Sequence, residues 1–203
     1  MDTLSFFVEK FGLDLSQPSP FKLPISRETD IPQIFNELGF KTGAEIGVYR
    51  GAYSETLLES IPGLKLTGVD LWSLYPGYRD YRKDDISDAH REAIERTENY
   101  DCQLIRGWSN EVAKKIPDGS LDFVYIDGNH SFEFTVMDIA AWSKKVRAGG
   151  IIYGHDFVDW SHNWRRFDMG VIYAVTGWTS AYQIHPWFII AKDKHPSWLY
   201  IKS

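Results

Sequence analysis

Strand-sized apolar runs alternate with helix-sized amphipathic segments through most of these 203 residues. That alternation predicts a doubly wound, mostly parallel α/β sheet with a C-terminal antiparallel hairpin. Residues 44–48, 64–70, 102–106, 121–126 and 151–154 read as buried strands, with polar groups at or just beyond their carboxyl ends. The stretches between them are long enough for the crossover helices that parallel neighbours require. Near the end, two β-rich runs, 181–185 and 187–192, are separated only by the turn His185-Pro186 and are expected to form the hairpin.

The helices follow from apolar spacing. Residues 4–13 place Phe7, Val8 and Phe11 on one stripe before Gln17-Pro18-Ser19-Pro20 breaks the chain. A second helix over 28–38 carries Ile31, Ile34, Phe35 and Leu38, with Gly39 as its stop. Residues 1–39 thus read as an N-terminal helical extension, open to use as a homo-oligomer contact or a lid, and residues 40–203 as the main domain. After the first main strand, Tyr53, Leu57 and Ile61 share a face; later, Ile86, Ala89, Ala93 and Ile94 do so. A short helix begins at Ser109, and a longer one over 131–146 carries Val136, Ile139, Ala140 and Val146. Gly149-Gly150 turns into the strand at 151, and a last helix is expected around Met169 to Trp178.

Composition narrows the function. A chain 43% hydrophobic and 25% charged is neither disordered nor membrane-spanning, and its longest apolar runs, such as Trp187 to Ala191, are strand-sized. The N-terminus lacks the basic, apolar and small-residue order of a signal peptide, so a cytoplasmic location is expected. Cys102 has no second cysteine to pair with and reads as buried filler in a reducing compartment. A net charge of -6 argues against general nucleic-acid binding, leaving Arg79, Arg82, Lys83 and Arg165, Arg166 as local basic sets.

Ligands of an open α/β sheet bind beyond the carboxyl ends of its strands. Here those ends carry Glu45 and Gly47, then Asp70 to Trp72, Gly107-Trp108-Ser109, Asp127 to His130, and His155-Asp156. Ser109 alone reads as a helix cap, and Trp72 or Trp108 alone as packing under a loop. Five polar ends on one edge point to a site. The first turn, Glu45-Ile46-Gly47-Val48-Tyr49-Arg50-Gly51, lacks the three-glycine spacing of a dinucleotide fingerprint. Its wider turn and carboxylate suit a cationic nucleoside, with the acid on the next strand, Asp70, accepting both ribose hydroxyls.

Two further runs carry a resemblance: Tyr125-Ile126-Asp127-Gly128-Asn129-His130, and Gly149-Gly150-Ile151-Ile152-Tyr153-Gly154-His155-Asp156-Phe157. Over residues 40–192 the chain resembles the class I S-adenosylmethionine-dependent methyltransferases, specifically a small group with I-D-G-x-H followed by G-G-x-x-x-G-H-D. The resemblance implies a Rossmann-like domain over 40–203, S-adenosyl-L-methionine as cofactor and a small-molecule substrate. It implies a cofactor site of Glu45, Gly47, Tyr49, Gly51, Ser54, Asp70, Leu71, Trp72, Gly107, Trp108, Ser109 and Asp127. For chemistry it implies His130, Asp127 and His155. Relatives include members with Mg²⁺ or another divalent cation; here Asp127, His155 and Asp156 would be the ligands, although Asn129 and His155 stand where that pattern has acids. A metal-free reaction with His130 as base, and His155 as second choice, is equally compatible.

The implied reaction is in-line methyl transfer to an oxygen or nitrogen nucleophile, with an oxygen of a sugar-like or hydroxylated metabolite as the leading acceptor. Segments Ser73–Lys83 and Val158–Phe167 flank the edge with Tyr75, Tyr78, Tyr81, Trp160 and Trp164, residues suited to walling an acceptor. Two other readings are a cofactor-binding protein without methyl transfer and an NAD-linked oxidoreductase, the latter disfavoured by the first turn.

Overall fold

The computed structural model describes residues 2–76, 83–159 and 169–203, without the side chains of 83–85. Tyr78, Arg79, Tyr81, Arg82, Trp160, Trp164, Arg165 and Arg166 lie outside the described residues, as does the side chain of Lys83. The elements run α1 (Thr3–Phe11), β1 (Phe21–Leu23), α2 (Asp30–Glu37), β2 (Thr42–Ile46), α3 (Ala52–Ser60), β3 (Lys65–Asp70), α4 (Lys83–Thr97) and β4 (Cys102–Arg106). They continue with α5 (Ser109–Ala113), β5 (Leu121–Ile126), α6 (Phe132–Trp142), β6 (Val146–Gly154), α7 (Val171–Ala181), β7 (Trp187–Ile190) and β8 (Ser197–Ile201).

Among the described residues one sheet has the order β1-β7-β8-β6-β5-β2-β3-β4. Every pairing is parallel except those of β8, which runs antiparallel between β6 and β7. Alternate residues of the central strands face opposite layers. Phe123, Tyr125, Ile151 and Tyr153 pack with Phe7, Ile31, Phe35 and Leu57 from α1–α3. Ala44, Ile46, Val124 and Ile152 pack with Ile139, Trp142, Val171 and Val175 from α6 and α7. A strand buried on both faces has no polar position to spare, which is why β5 reads as a nearly unbroken apolar run.

Four expectations change. The hairpin is β7 with β8: residues 181–185 are the end of α7 and the turn beyond it, because helical spacing from Val171 through Val175 to Thr179 buries one face and carries the helix to Ala181. The extension is not wholly helical, since Phe21–Leu23 pairs with β7 and extends the sheet edge. Its α1 is held down by Phe7, fully buried against Phe188. Strand β6 starts at Val146, so this residue leaves α6, and Gly149-Gly150 lies within the strand beside a register shift opposite β5. Ile94 is 44% exposed; the inward stripe of α4 is Ile86, Ala89 and Ala93. No helix among the described residues is long and apolar enough to cross a membrane.

Candidate active site

From β2 the chain winds outward through β3 to β4, then returns to β5 on the other side of β2. The crevice at that reversal is where such sheets bind ligands, and here it is a cleft of about 740 Å³, open mouth included. Its walls hold Gly47, Tyr49, Asp70, Leu71 and Trp72 on one side. Gly107, Trp108, Ser109 and Asp127 complete the expected set that reaches it.

Gly47 makes the crevice possible. Its φ is +90°, and a Cβ there would stand 2.1 Å from the carbonyl oxygen of Asp127. Only a residue without a side chain lets the ends of β2 and β5 touch in this way. Gly51 serves packing instead: it opens α3, and a Cβ on it would press on Ala93 of α4. Asp70 organises the next turn. Its Oδ2 accepts the Tyr49 N–H at 2.9 Å and its Oδ1 accepts the Trp72 N–H at 2.7 Å. Burial raises its pKa against the pull of these amides. A carboxylate offers about four lone-pair directions, so both oxygens can still accept hydroxyls from the cleft. Trp72 is buried, donates Nε1–H to the Tyr49 carbonyl and lies against His90, so its packing role is real.

At the far end, Trp108, Tyr75 and Phe134 form an aromatic cluster on the cleft wall, with Trp108 and Phe134 nearly parallel and centroids 6.3 Å apart. Asn129 Nδ2 donates to the Tyr75 hydroxyl at 2.8 Å and ties the β3 loop to the β5 loop.

Glu45 and Ser54 sit behind the wall. Glu45 is 2% exposed and accepts a short hydrogen bond from the Ser54 hydroxyl. Burial pushes its pKa up to about 8, Ser54 and Arg27 offsetting part of the effect. A carboxyl titrating near 4.5 in the unfolded chain and near 8 in the folded one makes the folded state the better proton binder between those values. Glu45 therefore costs stability as pH rises from about 4.5 to 8, on the order of a few kcal/mol. Glu45→Gln is expected to flatten the fall in melting temperature across pH 5–8; a wild-type profile that is already flat in this range would refute the assignment.

Beyond the cleft, β5 and β6 bring together a compact ionic cluster. His130 Nε2 lies 3.1 Å from Asp127 Oδ1 and 3.2 Å from Asp156 Oδ2. His155 Nδ1 lies 3.6 Å from Asp156 Oδ1 and 3.9 Å from Asp127 Oδ1. The ligand atoms of Asp127, His130 and Asp156 are all within 4.8 Å of one another. His155, expected as a metal ligand, stands outside that tightest set. Burial opposes ionisation of both acids, yet the imidazoles outweigh it: Asp127 is lowered, and Asp156 falls to about 2. Asp127 lines both cleft and cluster and so joins the two.

Three residues here that are not glycine take left-handed backbone conformations: Tyr49 (φ 50°), Trp72 (φ 40°) and Asp156 (φ 51°). Such strain persists where surrounding structure over-determines it, as at sites.

Three participants escape sequence reasoning. His195, in the β7–β8 loop, puts Nδ1 3.1 Å from Asp156 Oδ1. Arg27, from the extension, lies over the Tyr53 ring and donates to the Tyr125 hydroxyl at 2.9 Å. That hydroxyl donates in turn to Asp127 Oδ2 at 2.9 Å. Asp193 holds both newcomers' segments together by accepting from Ser26 Oγ and the Arg27 N–H, each at 2.7 Å. Neither residue has a local signal. The third, Asp138, had one: an acid on the buried stripe Thr135, Asp138, Ile139, Trp142 of α6.

Residues 44–157, more than half of the chain, match the model of a methyltransferase-domain family. The chain belongs to that family, among the class I S-adenosylmethionine-dependent methyltransferases. No curated protein matches the methyltransferase's sequence. Solved structures share its fold at low identity. A putative caffeoyl-CoA O-methyltransferase from Staphylococcus aureus is 16% identical, with TM-score 0.63 over 98% of this chain and 90% of that one. An O-methyltransferase from Bacillus cereus, in complex with SAH, gives 16%, 0.63, 98% and 89%. The O-methyltransferase TomG from Streptomyces achromogenes, involved in tomaymycin synthesis and in complex with SAM, gives 12%, 0.63, 100% and 91%.

Proposed function

We propose that this methyltransferase binds S-adenosylmethionine in the cleft and transfers its methyl group to an oxygen of a small polar acceptor, with His130 receiving the acceptor's proton. The observation that carries this reading is one imidazole nitrogen held between two carboxylates, one of which, Asp127, lines the crevice. Asp70 holds the ribose diol by charge-assisted bonds, the strong kind. Trp108, Tyr75 and Phe134 take the base, and Glu45, sealed behind the wall with Ser54, supports the first turn rather than touching the cofactor. The extension, residues 1–39, belongs to the working site through Arg27, which orients Asp127 through the Tyr125 hydroxyl.

The cofactor brings an already activated methyl group, so the protein's main task is alignment, which can supply on the order of 7–11 kcal/mol. The acceptor oxygen forms its bond to the methyl carbon as the carbon–sulfur bond breaks, and that electron pair stays on sulfur. His130, held by Asp127 and Asp156 through Nε2, takes up the hydroxyl proton, and the imidazolium that results is stabilised by both carboxylates. His155 and His195 hold Asp156 ionised for that task.

A second reading is favoured by the convergence of Asp127, His130 and Asp156, two ionised carboxylates and an imidazole at ligand spacing. This donor set fits a divalent cation, with nitrogen preferring Zn²⁺ or Mn²⁺ over Mg²⁺. Such an ion acidifies a bound hydroxyl.

Incubating the purified chain with methyl-labelled S-adenosylmethionine and pools of hydroxylated metabolites tests both. Label transfer with release of S-adenosylhomocysteine, unchanged by EDTA, supports the metal-free route. Loss of transfer under EDTA, restored by Mn²⁺ or Zn²⁺, supports the second. Tight NADH binding with no affinity for S-adenosylhomocysteine would overturn the proposal.

A further inference from the structure

Asp138 is a buried carboxyl that methyl transfer does not use. It is 3% exposed yet forms part of the cleft wall, beside Met137, Phe134 and Ser109. Among the described residues its hydrogen-bond partner is Ser109, whose hydroxyl donates to Oδ1 at 2.6 Å. The direction of that bond is fixed from behind. The indole N–H of Trp142 can only donate, and it donates to Ser109 Oγ at 2.7 Å. The serine proton is therefore committed to Asp138 Oδ1. Its other oxygen, Oδ2, stands over the backbone of Gly128, 3.5 Å from where a Cβ would be, and Gly128 also lines the cleft. Burial drives the carboxyl up to about 7 against the bond from Ser109, and no cation among the described residues offsets it. Among the described residues Oδ2 accepts no hydrogen bond, and its side chain lines the cleft, so a donor on a bound ligand is its natural complement.

We propose that Asp138 selects the purine of the cofactor: its Oδ2 accepts a hydrogen bond from the exocyclic amine of an adenine seated against Trp108. The assignment rests on the cofactor reading above and adds to it the group that recognises the base. Aromatic side chains hold any purine, because every base has a π face. An acceptor fixed at the amine position separates adenine, which presents N–H there, from hypoxanthine, which presents a carbonyl oxygen. Two acceptors then face each other, and a site built around a hydrogen bond rejects an analogue that cannot make it.

The fixed donor chain from Trp142 through Ser109 makes the test unusually specific. In Asp138→Asn the amide oxygen must take the Ser109 proton, which turns the amide NH₂ toward the cleft. The variant then offers a donor where the wild type offers an acceptor, so its preference should reverse.

Calorimetric titration at pH 8 of the full chain with S-adenosylhomocysteine and with its deaminated analogue S-inosylhomocysteine measures this. The wild type should favour the adenine ligand by about 10- to 100-fold. The asparagine variant should lose most of that preference or favour the inosine ligand. Wild-type protein that binds both ligands equally removes the role of Asp138 while leaving the cofactor reading intact, and this comparison stands even if the variant fails to fold. A folded variant that keeps the wild-type preference also overturns the role. Wild-type protein that binds neither ligand overturns the cofactor reading, and the proposal with it.

Discussion

His130→Ala is expected to lower the methyl-transfer rate by about 10²–10⁴-fold, the usual contribution of a positioned base, with affinity for S-adenosylhomocysteine essentially unchanged. The separation follows from position. His130 touches Asp127 and Asp156 but is not part of the cleft wall. Removing the ring also leaves two ionised carboxylates facing each other with one fewer compensating group. Some loss of stability should accompany the loss of rate, so the melting temperature belongs beside the kinetics. Rate measurements with an acceptor found in the label-transfer screen, together with calorimetry of the product, read the two effects separately. A variant that turns over at the wild-type rate excludes His130 as base and as metal ligand alike. If the cluster holds a cation, the same variant should bind Mn²⁺ more weakly than wild type.

Asp70→Asn should weaken S-adenosylhomocysteine binding by about 100-fold, some 2–3 kcal/mol, the worth of a lost charge-assisted pair. Both carboxylate oxygens already accept backbone N–H groups, from Tyr49 and Trp72. An amide would have to turn its NH₂ toward one of those donors, so the substitution disturbs the turn as well as the ribose contact. Burial raises the pKa of Asp70, and the ionised form is the better acceptor. Wild-type affinity should therefore decline as pH falls toward that raised value, and the asparagine variant should not show this contribution. Calorimetry across a pH series tests it. Undiminished binding by the variant would remove Asp70 from the nucleoside site.

Local patterns carried much of this. Strand β5 is legible because a run buried at nearly every position is apolar almost throughout. Its end, like that of β3, is legible because an acid follows or closes the apolar run, Asp127 and Asp70. Strand β4 lies at the sheet edge and keeps Gln103 and Arg106 exposed. The hairpin was misplaced for a related reason. Residues 181–185 carry β-favouring side chains, but the buried face of α7 holds the helix to Ala181, and tertiary burial outweighs local propensity. Glu45 illustrates a different limit. Its place in the first turn is readable, whereas its burial behind Ser54 depends on how α3 folds back over β2.

From its own order of residues, the chain determined the alternating α/β plan, the edge of the sheet that carries chemistry and the acids at the strand ends, because each depends on periodicities of two or 3.6 residues. Tertiary structure alone decided which side chains meet there. Arg27 and His195, separated by most of the chain, arrive at Asp127 and Asp156 through the Tyr125 hydroxyl and the β7–β8 loop. No local spacing encodes such a meeting. The ionisation of Asp127 and Asp156 likewise follows from burial and neighbouring charge, quantities that exist only once the layers have closed.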